Sequence, residues 1–148
     1  MTALLMAVAL AVDWLLGEPQ RGHPLVAFGR LTRAVEHRVY APERWRGVLG
    51  VVLLVLPPTV LVAIALTVLP VWAAIALHVA LLYFALGHRS LHDHGRPIAK
   101  ALADGDLAEA QRLTARIVSR DSAAIDPAPA ATESVLENGN DGVFGALF

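Results

Sequence analysis

The chain has 148 residues, 56% of them hydrophobic, a mean hydropathy of +0.56 and a formal net charge of −1. So high an apolar share is unusual for a soluble domain and points to membrane spans, and the near-neutral charge offers no bulk attraction to nucleic acid. Cysteine is absent, which excludes disulfides, thiolate nucleophiles and thiolate metal sites.

Residues 2–16 are apolar except for Asp13. As a helix this segment is near the lower length limit for a span of roughly 20 residues. No basic n-region or small-residue cleavage site accompanies it, so it does not read as a removed signal peptide. Gly17-Glu18-Pro19 breaks it. Residues 21–46 are polar and arginine-rich. His23-Pro24 precedes a helical pattern there, and Pro24 suits a first turn. Phe28, Leu31, Val35 and Val39 share one face, and Arg30, Arg33 and Arg38 fall elsewhere. A helix lying at a membrane surface and a helix packed on a soluble core fit this pattern equally.

Residues 47–69 carry no charge, with Pro57-Pro58 in the middle. Two lost backbone donors are expected to kink or interrupt that helix. Residues 71–87 form a second uncharged run, carrying His78, with Pro70 between the two. The expectation is a helical hairpin with a very short turn; one kinked span plus a buried helix competes with it. Of the 12 Lys and Arg residues, six lie in 18–46 and six in 87–148. A hairpin puts both groups on one side, which the positive-inside rule makes cytoplasmic.

From Gly87 the composition turns polar. His88 to Ala103 reads as a helical continuation, with Gly95 and Pro97 as kink points. Asp104-Gly105-Asp106 is a turn, and Asp106 with Glu109 gives a capping-box-like pair. Leu107, Ala110, Leu113 and Ile117 keep the helical period, and Arg120-Asp121-Ser122 closes that unit. Asp126-Pro127 supplies a cap and first position for the next helix. Residues 143–148 read as the start of a further span. The expected fold is therefore all-α: a polytopic helical membrane protein with spans at about 2–16, 47–69 and 71–87. Its cytoplasmic helical segments are 18–46 and 88–142.

Chemistry concentrates in Glu133-Ser134-Val135-Leu136-Glu137-Asn138-Gly139-Asn140-Asp141-Gly142. Residues four apart share a helix face, so Glu133, Glu137 and Asp141 would align, with Ser134 and Asn138 beside them. Stacked acids repel unless a cation sits among them. Oxygen ligands suit Mg²⁺, which usually arrives with phosphates; a solvated acidic face is the plain alternative. Asp13 is an ionisable residue at the end of an apolar helix, a functional candidate unless it reaches water or caps the next segment. His88 and His92 have metal-ligand spacing, but a membrane-edge cluster, or phosphate contacts from Arg89 and Arg96, explains them better. Asp93 and His94 would point elsewhere on an ideal helix. His78 reads as a hydrogen-bonded packing residue. No glycine-lysine phosphate loop, nucleophile elbow or zinc-protease signature is present.

Four blocks in order carry a resemblance. They are Asp13-Trp14-Leu15-Leu16-Gly17-Glu18-Pro19 with His23-Pro24; Arg89-Ser90-Leu91-His92-Asp93-His94 with Arg96-Pro97; Arg120-Asp121; and Glu133-Ser134 through Glu137-Asn138 to Asp141-Gly142. Together the chain resembles the adenosylcobinamide-phosphate synthase family of cobalamin biosynthesis, the CobD/CbiB membrane proteins. Family members often have Asp at the position of Glu18, and Ala-Pro after the Asp-Gly segment where this chain has Phe144-Gly145-Ala146. They are also longer, so the chain reads as an N-terminal part.

The resemblance implies a ligase that joins the carboxylate of adenosylcobyric acid to (R)-1-aminopropan-2-ol or its O-phosphate, with ATP and Mg²⁺. It makes Glu133, Glu137 and Asp141 metal or phosphate-site acids and Asn138 an orienting amide. Arg89 and Arg120 become phosphate contacts, and Asp121 a base or a partner for Arg120. His23 and Asp13 become substrate contacts at the membrane edge. The lipid bilayer, and other membrane enzymes of the late cobamide pathway, are the expected partners. A non-catalytic membrane subunit or transporter fragment, using Asp13, His78 and a helix broken at Pro57-Pro58, is the competing reading.

Overall fold

The computed structural model describes residues 2–19, 22–118 and 126–148. Among them every regular element is helical: α1 Thr2–Leu16, α2 Pro24–Val39, α3 Arg44–Val68, α4 Val71–Ala85, α5 His88–Ala103, α6 Leu107–Thr114 and α7 Pro127–Gly139. A π-helical turn, Asn140–Phe144, and the short α8, Gly145–Leu147, follow. The chain divides into two compact units, Pro19–Phe84 and the pair Met1–Glu18 with Ala85–Phe148.

In the unit Pro19–Phe84, α2 starts as its sequence predicts. His23 is the N-cap, its Nδ1 accepting from the Leu25 amide at 3.2 Å, and Pro24 opens the helix. The His23 ring meets Phe84 edge-on at 5.6 Å. α2 packs against α3, and a crevice of about 620 Å³ lies between them, walled by Val35, Tyr40, Glu43, Arg46, Val51 and Leu54 among others.

α3 runs unbroken for 25 residues through Pro57 and Pro58. The expected interruption does not occur. Two consecutive prolines remove only the donors that would reach the Leu53 and Leu54 carbonyls, and the ladder on either side carries the helix. In an apolar surrounding the backbone would find no competing partner, so helix would remain its best state. Thr59 Oγ1 adds a bond to the Val55 carbonyl at 2.7 Å. No residue of α3 or α4 is buried. Leu69-Pro70 joins the two helices, but α3 packs chiefly on α2. The chain order of a hairpin is present without a packed α3–α4 interface. Apolar helices carry no hydrophobic drive to associate when their surroundings are equally apolar. Two helical runs are long and apolar enough to cross a membrane: Arg44–Val68, and Val71–Ala103 counted through the break at Leu86-Gly87.

The other unit is built on α5, α6 and α7 around small side chains. Ala101, Ala110 and Ala131 are buried with Ile98, so helix axes approach closely. A Cβ added at Gly95 would meet Val135 at 3.6 Å, and one at Gly139 would meet Leu91 at 3.6 Å. α5 passes through Gly95 and Pro97 without a break. The single lost ladder bond at Pro97 is offset by packing on α6 and α7.

Asp106 caps α6, accepting from the Glu109 amide at 3.0 Å. The reciprocal half of the capping box is absent. The Glu109 carboxylate turns to Arg112 instead, and that guanidinium holds its carboxyl below the ordinary range. Asp106→Ala is therefore expected to cost about 1 kcal/mol, read as a lowered unfolding midpoint in detergent. Glu109→Gln should leave the midpoint nearly unchanged. Asp126-Pro127 opens α7 as cap and first position, as the sequence predicts, the Asp126 carboxylate accepting from the Ala128 amide at 3.4 Å.

Candidate functional site at the start of α5

α5 begins at His88 after Gly87, which has no side chain to cap it. A helix start leaves backbone N–H groups without partners and carries partial positive charge. Both are answered from distant parts of the chain. The Asp13 carboxylate, 3% exposed, accepts from the Arg89 amide at 2.8 Å, 76 residues away in sequence. The Gly87 amide donates to the Gly142 carbonyl at 2.9 Å. Three of the four sequence blocks thus meet at one helical turn: the Asp13 block, the Arg89 block and the Asp141-Gly142 block.

Side chains reinforce the junction. Arg89 donates from Nη1 to the Trp14 carbonyl at 2.7 Å and from Nε to Asp93 at 2.8 Å. Its guanidinium lies 5.3 Å from the Trp14 ring. The imidazoles of His88 and His92 flank the same indole at 5.4 and 5.1 Å. Ser90 donates to the Glu18 carboxylate at 2.7 Å. Gly17 turns the chain out of α1 with φ +65°, a conformation that favours glycine, while Arg89 Cγ would lie 3.6 Å from any added Cβ.

These contacts revise several sequence expectations. Asp13 caps a helix, though a remote one and not the next segment. Arg89 uses Nε and Nη1 within the protein, so it acts first as a clamp between α1 and α5. His88 and His92 surround an indole. Asp93 does not point away: it receives both Arg89 and His92, the latter at 3.2 Å. Neither Trp14 nor Ser90 stands out individually in the sequence, and Glu18 does so only as a departure from the family pattern. The signal available for Trp14 was an indole directly after the one acid of an apolar helix.

On α7, Ser134 is buried and donates to the Ile117 carbonyl at 3.0 Å. Asn138 donates to the Ser134 carbonyl at 2.8 Å and to its Oγ at 3.0 Å. The Asn138 amide thereby secures its own helix. Glu133, Glu137 and Asp141 are exposed, and Asp141 accepts from Asn140 at 3.0 Å. α7 ends at Gly139, and Asp141 sits in the π-helical turn, whose wider winding sets its direction apart from plain four-residue spacing. Among the described residues no three His, Asp or Glu side chains gather as a metal site. His23 is placed in the unit Pro19–Phe84. Arg120 and Asp121 lie outside the described residues. None of the residues the sequence singled out for chemistry lines the α2–α3 crevice.

The model of the family described as CobD/Cbib protein matches residues 6–148. The chain belongs to the CobD/Cbib family. A protein of Chromobacterium violaceum named cobalamin biosynthesis protein CobD is 50% identical to it, covering 99% of this chain and 50% of that protein. A like-named protein of Stutzerimonas stutzeri is 53% identical, over 95% of this chain and 48% of that one. One from Rhodobacter capsulatus is 35% identical, over 99% and 50%. The chain spans about half the length of these curated relatives. No solved structure matches.

Proposed function

We propose that this chain serves cobalamin biosynthesis as the membrane-embedded part of an amide-forming enzyme. The reaction joins the carboxylate of adenosylcobyric acid to (R)-1-aminopropan-2-ol or its O-phosphate. The observation that carries this reading is the meeting of three family blocks at the first turn of α5.

A carboxylate resists attack by an amine and must be activated. ATP would supply that activation by transferring its terminal phosphoryl group to the substrate carboxylate, releasing ADP. The free amine then attacks the acyl carbon, inorganic phosphate leaves, and the excess proton passes to a base. Asp121 is the proposed base and Arg120 the proposed anion contact. Glu133, Glu137 and Asp141 line the exposed side of α7 and its π-helical turn. The gathered side chains do not by themselves make a metal cage, so no step is assigned to a metal. Mg²⁺ enters the proposal only with the phosphates of ATP, held by one or two of these carboxylates. Asp13 and Arg89 fix the platform, and His23 is the proposed substrate contact at the membrane edge.

The membrane reading rests on α3 and the apolar run from Val71. With the arginine-rich segments on one side, the polar helices face the cytoplasm, near other membrane enzymes of the same late pathway. The transporter reading has less behind it. Asp13 is a cap, α3 is unbroken at its prolines, and His78 bonds its own helix at the Ala74 carbonyl, 2.8 Å away.

The test is conversion of cobyric acid to the aminopropanol amide with ATP, Mg²⁺ and aminopropanol phosphate, run on this chain and on the full-length Chromobacterium relative. Product from the relative alone places essential groups outside the half of the relative that this chain matches. The corresponding Glu137→Ala and Asp141→Ala changes in the active form are expected to lower turnover about 100-fold or more without moving the unfolding midpoint. Full turnover by both would remove the acid-site assignment.

A further inference from the structure

We propose that α2 lies in the plane of a membrane surface, its apolar stripe in lipid and its arginines on anionic headgroups. The inference rests on the reading of α3 as a span. It goes beyond that reading by giving a neighbouring helix a partner and an orientation.

Four observations carry it. First, α2 has no buried residue, and its apolar stripe is largely uncovered: Leu25 is 57% exposed, Phe28 41% and Leu31 53%. Only the part of the stripe around Val35 and Val39 turns toward α3. Second, the opposite arc is basic. Arg30, Arg33 and His37 lie there, Arg38 flanks the stripe, and Glu36 is the one acid of the helix. That arrangement complements a negatively charged lipid surface.

Third, α2 is tied by the short loop 40–43 to the N-terminal end of α3. Arg44, Trp45 and Arg46 open α3, and no charged residue follows them in it. If α3 crosses a bilayer, those three residues mark the interface, and α2 cannot end far from it. Fourth, the loop and the first turn of α3 carry the anchors typical of that depth. Tyr40 is 81% exposed and Trp45 59%, and aromatic rings of this kind settle at the headgroup level. A helix packed on a soluble core would bury its stripe in protein; this one does not.

The chain has no cysteine, so single-cysteine variants can be labelled directly. The full chain carrying Phe28→Cys, Leu31→Cys, His37→Cys or Leu61→Cys is given a fluorophore and reconstituted in two kinds of vesicle. One kind is phosphatidylcholine alone; the other is phosphatidylcholine and phosphatidylglycerol in equal parts. Each label is read against a water-soluble quencher, a lipid quencher near the headgroups and one near the bilayer centre.

Labels at 28 and 31 should be quenched by the shallow lipid probe, the label at 37 by the aqueous probe, and the label at 61 by the deep one. Each arginine near an anionic surface is worth about fivefold in partitioning. Shallow quenching at 28 and 31 should therefore rise severalfold in the anionic vesicles. The rise should vanish when Arg30, Arg33 and Arg38 are changed together to Gln.

Equal water exposure at 28, 31 and 37 would overturn the proposal. So would shielding of 28 and 31 from every probe, which means protein covers them. Deep quenching at all three positions of α2 would also overturn it, because α2 would then be inserted. An unchanged signal between the two vesicles would remove the role of the arginines. A water-exposed label at 61 would mark failure of the span reading, a result distinct from all of these.

Discussion

Asp13→Ala is expected to destabilise the chain by about 2–3 kcal/mol and, if the proposed function holds, to abolish amidation by the active form. The carboxylate is buried and accepts from the Arg89 amide at 2.8 Å. Its removal strands an N–H at a helix start that has no local cap, and a charged acceptor at such a position is worth more than a neutral one. Asp13→Asn keeps an acceptor oxygen and should cost about 1 kcal/mol. The check is thermal unfolding in detergent, followed by α5 amide exchange. Faster exchange should begin at the first turn of α5 and leave α6 unaffected. An alanine variant with the parental midpoint would show that the cap carries no weight.

Arg89→Ala is expected to be the second most damaging change, at about 2 kcal/mol. It removes two bonds, to the Trp14 carbonyl and to Asp93, together with the guanidinium against the indole. Arg89→Lys should recover little, because an ammonium cannot hold both acceptors in the planar fork geometry of arginine. The geometry also makes a sharper claim. Asp13 bonds the Arg89 backbone amide, not its guanidinium. A double-mutant cycle between Asp13→Asn and Arg89→Ala should therefore give a coupling at the low end for residues that share a junction, about 0.5–1 kcal/mol. A coupling of several times that size would mean an Asp13–Arg89 ion pair, contrary to the structure.

What the sequence made legible was mostly local. Pro24 after His23, Asp106 before α6, and Asp126-Pro127 at α7 all act within a few residues, where cap chemistry can be read from the chain. The blocks of polar residues were visible in the sequence. Their meeting place was not, because the capping acid for α5 stands 76 residues before its acceptor. No spacing rule reaches that far.

Two expectations need adjusting, each for a plain reason. Pro57-Pro58 predicts a kink or an interruption, and the helix is not interrupted there, because the ladder on either side of the two prolines carries it. The alignment of Glu133, Glu137 and Asp141 assumed one continuous α-helix, whereas the chain enters a π-helical turn after Gly139. Ser134 and Asn138 carried the right chemistry but spend it on packing α7, with Ser134 reaching the Ile117 carbonyl. Glu109 shows the same effect on a smaller scale. Its spacing from Asp106 suggested a reciprocal cap, and a nearby guanidinium proved the stronger partner.

The proposed function implies that the corrinoid meets the protein beside the platform at the start of α5. A photoreactive analogue of cobyric acid, irradiated with the membrane-reconstituted protein and followed by peptide mapping, tests it directly. Labelling is expected within 88–93 and 137–142, and Asp13→Ala should abolish it. Labelling confined to the α2–α3 crevice, at 40–46, would contradict the account.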